Sequence, residues 1–288
     1  MSWLEVIRPG PLSLLQDGGR PGLAGIGVTR SGAADRGAYL AGAALVGNDP
    51  AGGDAAIEIV LGGLAFRVLE GPVRIAVTGA PCPLRLGEVT LPYGRVVELG
   101  TGDVVSLGMA PVGLRCYLSV AGGITAAPDF GSRSRDTLAG IGPQPLRPGS
   151  RLPVGPPVAR SPGSPVSPLP AAGWGRVLSV QEGPRKDWIL HPAALGRAWE
   201  VSASSDRVGV RLIGEPLAWA PSRIGRELPP EPVVRGAVQV PPSGLPVVFG
   251  PDHPTTGGYP VLGVLTEAAS DQLAQVRPGD VVTLAWQR

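Results

Sequence analysis

Apolar residues recur along the chain in short runs with a period close to two, which is typical of half-buried β-strands. In the first half these runs are SWLEVIR (2–8), AIEIVLGG (56–63), AFRVLE (65–70), VRIAVTG (73–79) and LRCYLSVAGG (114–123). In the second half they are GRVLSVQ (175–181), RVGVRLIG (207–214), AVQV (237–240), LPVVFG (245–250) and PVLGVL (260–265). Between the runs lie turns rich in glycine and proline, which number 44 and 34. The pattern predicts a mostly β fold.

Two segments break this pattern and predict short helices. Residues 33–48, AADRGAYLAGAALVGN, are rich in alanine and leucine; Ser31 can cap the start, and Gly47 and Asn48 can end the helix in a left-handed turn. Residues 267–276, EAASDQLAQV, predict a second and shorter helix.

The proline-rich stretch 153–173, PVGPPVARSPGSPVSPLPAAG, has neither a strand period nor a helix period. It predicts a linker between an N-terminal β domain with one helix (1–152) and a C-terminal β domain (174–288). Three segments elsewhere, 102–107, 149–154 and 279–284, each place a glycine and a polar residue before an apolar strand.

Charge and cysteine content exclude several classes of protein. The 25 basic and 23 acidic residues are interleaved, so no basic stripe exists for nucleic acid, and we expect no nucleic-acid partner. The start of the sequence has no signal-peptide pattern and no apolar run reaches membrane-spanning length, so we expect a cytoplasmic protein with no membrane partner. Cys82 and Cys116 lack metal-ligand spacing and are expected to be buried thiols.

Several kinds of cofactor chemistry are also unsupported. No phosphate-binding loop ending in Gly-Lys-Ser/Thr exists, and no Gly-x-Gly-x-x-Gly follows a strand. Lys186, the single lysine, lies in GPRKDWI, so we expect no covalently bound biotin on this chain. With only His191 and His253 available we expect no metal site, and proton transfer would fall to carboxylates or tyrosine.

The segment QDGGRPGLAGIGVTRSGAAD (16–35) combines charged side chains with glycines in a way that strand packing does not require. Asp17 and Arg20 flank a double glycine whose backbone N–H groups can face a ligand, and Asp35 falls in the first turn of the predicted helix. A turn held by an Asp–Arg pair explains the same residues equally well.

The segment GPDHPTTGGYP (250–260) is a second candidate site. The hydroxyls of Thr255 and Thr256 and the N–H groups of Gly257 and Gly258 can bind a carboxylate or phosphoryl oxygen, and Tyr259 can stack or donate. The same letters are also ordinary hairpin chemistry.

Within that segment Asp252 is the nearest candidate for a general base or a water-positioning group. His253 is expected to be a surface turn residue facing solvent, and Pro254 has no backbone N–H to donate.

Read together, the motifs resemble the KipA-like family, which comprises the C subunit of 5-oxoprolinase and the allophanate hydrolase subunit 2 (carboxyltransferase) segment of urea carboxylase. The resemblance runs almost end to end, through LQDGGRPG, SGAADRGAYLAGAALVGN, AIEIVLGGL, LSVAGGI, GSRSRDTLAGIG, SSDRVGVRL, GAVQVPPSGLPVV, TTGGYP and LAQVRPGD. It implies a cyclophilin-like β-barrel architecture. Two positions depart from the family pattern: Pro254 stands where glutamine is usual, and Ala43 where asparagine is usual.

Carried over residue by residue, the resemblance implies a set of site residues. Those expected to be catalytic are Asp252, Tyr259 and Asp35. Those expected to bind substrate are Asp17, Arg20, Ser31, Asn48, Arg207, Arg211, Thr255, Thr256, Gly257 and Gly258.

The function that the resemblance implies is that of one subunit of an ATP-dependent 5-oxoprolinase, which opens 5-oxo-L-proline to L-glutamate. The implied partners are a KipI-like protein, the B-type subunit of such complexes, and a LamB/YcsF-like protein, the A-type subunit. ATP would be used by the complex, and the chain alone would be inactive. One alternative is carboxyl transfer from carboxybiotin on another chain to urea or a similar amide. Another is a non-catalytic module that binds a KipI-like kinase regulator.

Overall fold

The computed structural model describes residues 2–49, 53–156, 163 and 176–287. These residues form two compact units. The first lies within Met1–Arg20, Ser31–Asp136 and Gly140–Gly173, and the second within Pro21–Arg30, Thr137–Ala139 and Trp174–Arg288. The predicted mostly β fold is confirmed, since the described residues contain twenty strands, two α-helices and a few short 3-10 helices.

The first unit contains eleven strands arranged in two antiparallel sheets. The strands are β1 (Ser2–Pro9), β2 (Leu12–Gln16), β3 (Ala56–Val60), β4 (Leu64–Glu70), β5 (Val73–Gly79), β6 (Leu84–Leu86), β7 (Val89–Leu91), β8 (Val97–Leu99), β9 (Val104–Leu107), β10 (Arg115–Val120) and β11 (Arg151–Val154). One sheet has the order β11-β1-β4-β9-β6-β7, and the other the order β2-β3-β10-β5-β8.

The core of this unit is filled by side chains from both sheets. Leu4 and Phe66 come from the first sheet and Ile57, Ile75 and Leu118 from the second, and all belong to one buried cluster. Alternation along β1 and β4 places every second side chain in this cluster, which is the reason the period-two runs form strands here.

Helix α1 (Arg36–Val46) packs against β5 and β10. It begins later than the predicted start at residue 33, because Asp35, not Ser31, is the N-cap and accepts a hydrogen bond from the Ala38 N–H at 2.9 Å. Ser31 cannot serve, since its φ of 53° places it in the left-handed region five residues before the helix. The predicted C-terminus is confirmed: Gly47 has a φ of 77° and its N–H bonds back into the last turn.

The second unit is built around a closed barrel of seven strands in the order β12-β19-β16-β17-β14-β13-β20. These are β12 (Val177–Glu182), β13 (Ala198–Val201), β14 (Gly209–Ile213), β16 (Ala237–Gln239), β17 (Val247–Phe249), β19 (Val261–Leu265) and β20 (Val281–Trp286). A separate ribbon pairs β15 (Glu231–Pro232) with β18 (Thr256–Gly257). The parallel pair β12–β20 closes the barrel, whose other neighbours are antiparallel.

Helix α2 (Glu267–Leu273) packs against β12 and β19, with Thr266 as its N-cap. The predicted helix extended to residue 276. The regular helix ends at Leu273 because the following N–H groups of Gln275 and Val276 bond three residues back, to Gln272 and Leu273, as in a tightened final turn.

The predicted linker at 153–173 begins too early. Residues 153 and 154 belong to β11, which pairs with β1. Residues 157–162 and 164–173 of the predicted linker lie outside the described residues.

Cys82 and Cys116 are free, buried thiols as expected, with their Sγ atoms 2.9 Å apart. The pKa of Cys116 lies well above its usual value. The larger cause is its hydrogen bond with Cys82, and the smaller cause is burial.

Among the described residues, neither helix is long and apolar enough to cross a bilayer.

Candidate functional site

Asp17 is the centre of a buried hydrogen-bond network in the first unit. Its Oδ1 accepts from the Gly19 N–H at 2.8 Å, from Ser132 Oγ at 2.6 Å and from Ser134 Oγ at 2.5 Å. Its Oδ2 accepts from the Arg133 N–H at 2.6 Å. The side chain is 1% exposed, and both of its carboxylate oxygens accept hydrogen bonds from the protein. Asp17 therefore ties the DGGR loop to residues 132–134.

Arg20 is also buried, at 1% exposure. Its Nη2 donates to the Ser134 carbonyl and its Nε to the Asp129 carbonyl at 3.4 Å. Its Nη1 has no hydrogen-bond partner among the described residues. The expected Asp17–Arg20 pair is thus bridged through Ser134, which bonds to both side chains.

The SGAAD loop lies directly against the DGGR loop. The Ala33 N–H donates to the Asp17 carbonyl at 3.0 Å. A Cβ at Gly32, whose φ is 94°, would meet the Gly19 nitrogen at 3.0 Å, so this close approach requires glycine. Ser31 Oγ donates to the Arg135 carbonyl at 3.3 Å. The fold therefore brings Asp17, Arg20 and Ser31 to one segment, residues 132–135.

Asp35 is positioned by a second buried network. Its backbone N–H donates to Tyr117 Oη at 2.8 Å, and Tyr117 Oη donates to Glu58 Oε2 at 2.8 Å. The same Glu58 oxygen accepts from the Ala34 N–H at 2.9 Å. Burial, followed by the nearby charges of Glu58 and Asp35, raises the pKa of Tyr117 well above its usual range. Strands β3 and β10 thus hold the start of helix α1 through Glu58 and Tyr117.

Asn48 is buried and serves a turn. Its Nδ2 donates to the Val120 carbonyl at 2.8 Å, and its Oδ1 accepts from the Gly122 N–H at 2.8 Å. It fixes the end of β10, and these bonds do not involve the residues around Asp17.

Asp252 and Arg207 form a bidentate ion pair in the second unit. Arg207 Nε lies 2.8 Å from Oδ2 and Nη2 lies 3.0 Å from Oδ1. Thr137 adds two bonds to Oδ2, from its N–H at 2.9 Å and its Oγ1 at 2.7 Å. With Asp252 at 0% and Arg207 at 3% exposure, the pair is shielded from water.

His253 does not face solvent as the sequence suggested, since it is only 8% exposed. Its ring lies 6.0 Å from that of Phe249, and Nδ1 lies 2.6 Å from the Pro254 carbonyl. Because a carbonyl only accepts, Nδ1 carries the proton. Packing on Phe249 is the reason this turn residue is buried.

Within TTGGYP, Thr256 and Gly257 form β18, in which Thr256 opposes Pro232 and Gly257 opposes Glu231. Thr256, Gly258 and Tyr259 are exposed, and Tyr259 retains 45% of its accessible surface. The segment thus contains a two-residue strand paired with β15, and Thr256 is exposed to solvent.

Two interactions fix this ribbon in place. Gln239 Nε2 donates to the Tyr259 carbonyl at 3.1 Å. Arg185 and Glu231 form an ion pair with two contacts, and this hydrogen bonding lowers the pKa of Glu231. The ribbon is thereby tied to the barrel at Gln239.

Arg211 lies on β14 and its side chain is exposed. Its backbone pairs with Val247 on β17 and with Ser205 Oγ. No hydrogen bond or ion pair of its side chain joins it to Arg207 or Asp252 in the part of the chain that the structure describes.

Sequence analysis assigned no role to GSRSRDTLAGIG (131–142), yet this segment supplies several of the partners. Ser132 and Ser134 hold Asp17, and Thr137 holds Asp252. The signal available in the sequence was SRSRDT (132–137), in which three hydroxyl side chains lie among two arginines and an aspartate. Glu58 matches the acid that precedes the glycine pair in the family pattern, but its partner Tyr117 was missed because it lies in an apolar strand pattern.

Comparison with known proteins identifies the family of this chain. A family model described as carboxyltransferase domain, subdomain A and B, matches residues 26–286. The C subunit of 5-oxoprolinase from Escherichia coli (strain K12) is 35% identical over 97% of this chain and 89% of its own. The same-named subunit of Haemophilus influenzae is 31% identical over 97% and 89%.

A solved structure is similar over the same extent. The crystal structure of Kluyveromyces lactis urea carboxylase superimposes with a TM-score of 0.88 and 28% identity, covering 98% of this chain but 27% of that one. The match of the family model to most of the chain, together with near full-length relatives above 30% identity, leads to one conclusion: the chain belongs to the carboxyltransferase domain, subdomain A and B, family.

Proposed function

We propose that the chain is one subunit of an ATP-dependent 5-oxoprolinase, which opens the lactam of 5-oxo-L-proline to L-glutamate. The observation that carries this proposal is the length of the match. Relatives named as the C subunit of 5-oxoprolinase are covered over 89% of their own chains, whereas the urea carboxylase structure is covered over 27%. Sequence identity is also higher to the C subunits, at 35% and 31%, than to urea carboxylase, at 28%.

The exposed and buried candidate residues receive different roles in this proposal. Thr256, Gly258 and Tyr259 are accessible, so they contact the substrate and stabilise oxygen charge through hydroxyl and N–H donors. Thr255 precedes Thr256 and Gly257 follows it in β18, and both complete the proposed set of donors. Of the expected catalytic residues, Tyr259 is the one placed to donate a proton.

Asp252 is proposed as a positioning residue in place of the general base expected from sequence. Four hydrogen bonds, from Arg207 and Thr137, occupy its two oxygens. A carboxylate with protein donors on both oxygens is held in one orientation by those donors, which suits it to positioning. Its role is to hold the start of the strand that carries Thr256.

In the first unit, Asp17, Arg20, Ser31, Asp35 and Asn48 are proposed to shape a substrate-binding surface of that unit. Their side chains are buried, so they act through the loops that they fix. Arg20 is the exception, since its Nη1 is unpartnered among the described residues and can take an anionic oxygen after a local movement of the loop. Arg211, exposed on β14, is a separate candidate for binding substrate.

The chain is proposed to act in a complex, because its relatives are named as subunits. A KipI-like protein and a LamB/YcsF-like protein are the proposed partners, and ATP is used by the assembled complex. The test is to purify the chain alone and with both partners and to measure glutamate formed from 5-oxoproline with and without ATP. Turnover by the complex alone supports the proposal; turnover by the isolated chain, or none by the complex, contradicts it.

A second candidate is carboxyl transfer from carboxybiotin to urea or a similar amide. The observation that favours it is the TM-score of 0.88 to urea carboxylase. The same purified chain, supplied with free carboxybiotin and urea, would then release biotin in a urea-dependent manner. A third candidate, a non-catalytic module for a KipI-like regulator, is favoured by the commitment of Asp17 and Asp252 to protein hydrogen bonds. It predicts binding of the KipI-like protein without either activity.

A further inference from the structure

The sulfur atoms of Cys82 and Cys116 face each other inside the first unit. They lie 2.9 Å apart, and the two side chains are buried, at 4% and 0% exposure. Carbon atoms that are not bonded to each other pack at about 3.5–4.0 Å, and sulfur is larger than carbon. A disulfide bond is about 2.0 Å long, so the two sulfurs need to approach by only about 0.9 Å to form one.

The backbone around the pair keeps the two thiols directed at each other. Gly62, whose φ is 85°, makes room for the sulfurs, because a Cβ at this position would lie 3.1 Å from Cys82 Sγ. The Gly62 N–H also donates a hydrogen bond to Cys116 Sγ. On the other sides, Cys116 Sγ lies 3.5 Å from the Ile59 carbonyl and Cys82 Sγ lies 3.5 Å from the Ala80 carbonyl.

The two thiols differ in how easily a small molecule reaches them. Cys82 comes directly before β6, which forms a hairpin of two three-residue strands with the edge strand β7. Short strands at the edge of a sheet open locally at a lower free energy than central strands do. Cys116 lies in β10, a strand inside the second sheet whose six residues are all buried. A small oxidant therefore reaches Cys82 first.

We propose that Cys82 and Cys116 form a reversible oxidation site, at which a hydroperoxide converts the two thiols into a disulfide. With hydrogen peroxide, Cys82 Sγ attacks one peroxide oxygen, the O–O bond breaks, and a sulfenic acid and one water are formed. Cys116 Sγ then attacks Cys82 Sγ. The S–O bond breaks, and the oxygen leaves as a second water with the proton of the Cys116 thiol. Two thiols are thereby oxidised while one hydrogen peroxide is reduced to two waters.

Cys116 acts as the resolving thiol in this scheme. A sulfenic acid without a neighbouring thiol is oxidised further to sulfinic acid, which thiol reductants do not reverse. Cys116 Sγ, already in contact with Cys82 Sγ, intercepts the sulfenic acid before that step. The raised pKa of Cys116 keeps it protonated until then, so it is not itself the thiolate that the peroxide oxidises.

The disulfide would tie the connection between the two sheets to the centre of one of them. Cys82 lies between β5 of the second sheet and β6 of the first, and it is 34 positions from Cys116 in β10. Closing a loop of this length restricts the unfolded chain and so stabilises the fold. Cys116 belongs to the core cluster between the sheets, whereas Tyr117 packs in a separate cluster with Tyr39. The bond therefore forms away from the contacts that hold helix α1.

Counting thiols in the full chain tests the proposal, because the sequence contains two cysteines and no others. The reduced chain is treated with hydrogen peroxide, denatured, and labelled with a maleimide. We expect the untreated chain to take two labels and the treated chain none, while it remains monomeric on a non-reducing gel. Dithiothreitol should restore both labels. Retention of both labels, a disulfide-linked dimer, or a loss that dithiothreitol does not reverse overturns the proposal.

The melting temperature supplies a second measurement. It should be about 5–10 °C higher in the oxidised chain than in the reduced chain, because the new bond closes the loop between Cys82 and Cys116. Cys82→Ala is the matched control, since it keeps both methionines, which peroxide also oxidises. The same treatment should not raise its melting temperature. An equal rise in Cys82→Ala, or no rise in the unaltered chain, contradicts the proposal.

The two single-cysteine variants test the separate roles of the thiols. In Cys82→Ala, the fully buried Cys116 should keep its label after peroxide. In Cys116→Ala, Cys82 should lose its label, and dithiothreitol should not restore it, because no thiol is present to trap the sulfenic acid. Loss of the Cys116 label at the rate of the unaltered chain, or full recovery of the Cys82 label in Cys116→Ala, overturns the assigned roles.

Discussion

The guanidinium of Arg207 meets the carboxylate of Asp252 through two parallel contacts, of 2.8 and 3.0 Å, where both side chains are at most 3% exposed. The two residues are 45 positions apart, so the pair joins the loop before β14 to the loop before β18. A buried ion pair of this kind is strongly stabilising only while both partners are present, because either charge alone is left desolvated.

Replacing Asp252 by asparagine should therefore destabilise the fold. The substitution preserves the shape but leaves the Arg207 charge buried without its anion, and we expect a loss of about 3 kcal/mol or more in the free energy of unfolding. Urea unfolding followed by circular dichroism measures it. Asp206→Asn is the control: its exposed side chain caps the N–H groups of Val208 and Gly209, which asparagine can also do. Equal stability in the two variants would contradict the prediction.

Ser134 is expected to matter more than an ordinary serine. Its Oγ donates to Asp17 Oδ1 at 2.5 Å and accepts from the Asp17 N–H at 2.9 Å. Ser134→Ala removes a partner from both groups in a buried site, so we expect the free energy of unfolding to fall by about 1–3 kcal/mol.

The control is Ser204→Ala, since Ser204 is exposed and its Oγ contacts Ser202. It should change stability by less than about 0.5 kcal/mol. The same denaturant titration serves both variants, and a Ser134→Ala protein as stable as the control would show that Asp17 is not held by this hydroxyl.

Period-two patterning located the strands that alternate between core and solvent, such as β1 and β4. It missed β2, whose residues Ser13 to Gln16 are all buried and so do not alternate. It also missed β6, β7 and β8, because three residues are too few to establish a period. Very short strands are recognised only from their neighbours in the sheet, whereas the fully buried β10 was located from its longer apolar run.

The candidate site was predictable as a set of motifs but not as a set of bonds. DGGR, SGAAD and TTGGYP are each recognisable locally. Ser132, which bonds to Asp17, and Thr137, which bonds to Asp252, both lie in 131–142 and are each 115 residues away from their partner along the chain. Sequence could not choose between Ser31 and Asp35 as the helix cap either. Both are good capping residues, and the choice follows from the close approach of Gly32 to Gly19.

Two buried tyrosines and one partly buried tyrosine should make the fold sensitive to alkaline pH. Burial raises the pKa of Tyr39, Tyr93 and Tyr117 above the usual value of 10.0. Because the folded-state pKa exceeds that of the unfolded chain, the associated stabilisation is fully present below about pH 10 and is lost as the pH rises through the folded-state pKa.

Tyr117→Phe tests this dependence. It removes the hydroxyl that bonds to Glu58 and to the Asp35 N–H, so stability at neutral pH should fall by about 1–3 kcal/mol. The further loss of stability above about pH 10 should be smaller than in the unaltered chain, because one titrating group is gone. Denaturant titrations at neutral and alkaline pH measure both effects; an unchanged alkaline loss would show that Tyr117 ionises equally in the folded and unfolded states.

Thr256→Val should separate a catalytic role of the β15–β18 ribbon from a structural one. Valine keeps the shape and the preference for strand, and because Thr256 is exposed, its hydroxyl contributes little to stability. A hydroxyl that stabilises developing oxygen charge is worth about 100-fold or more in turnover. We therefore expect the complex with Thr256→Val to lose about 100-fold in 5-oxoproline turnover while the melting temperature stays within about 1 °C. Thr90→Val, at an exposed position of β7, is the matched control and should preserve both quantities. If the Thr256→Val complex keeps full activity but melts at a lower temperature, TTGGYP supports the barrel and does not bind substrate.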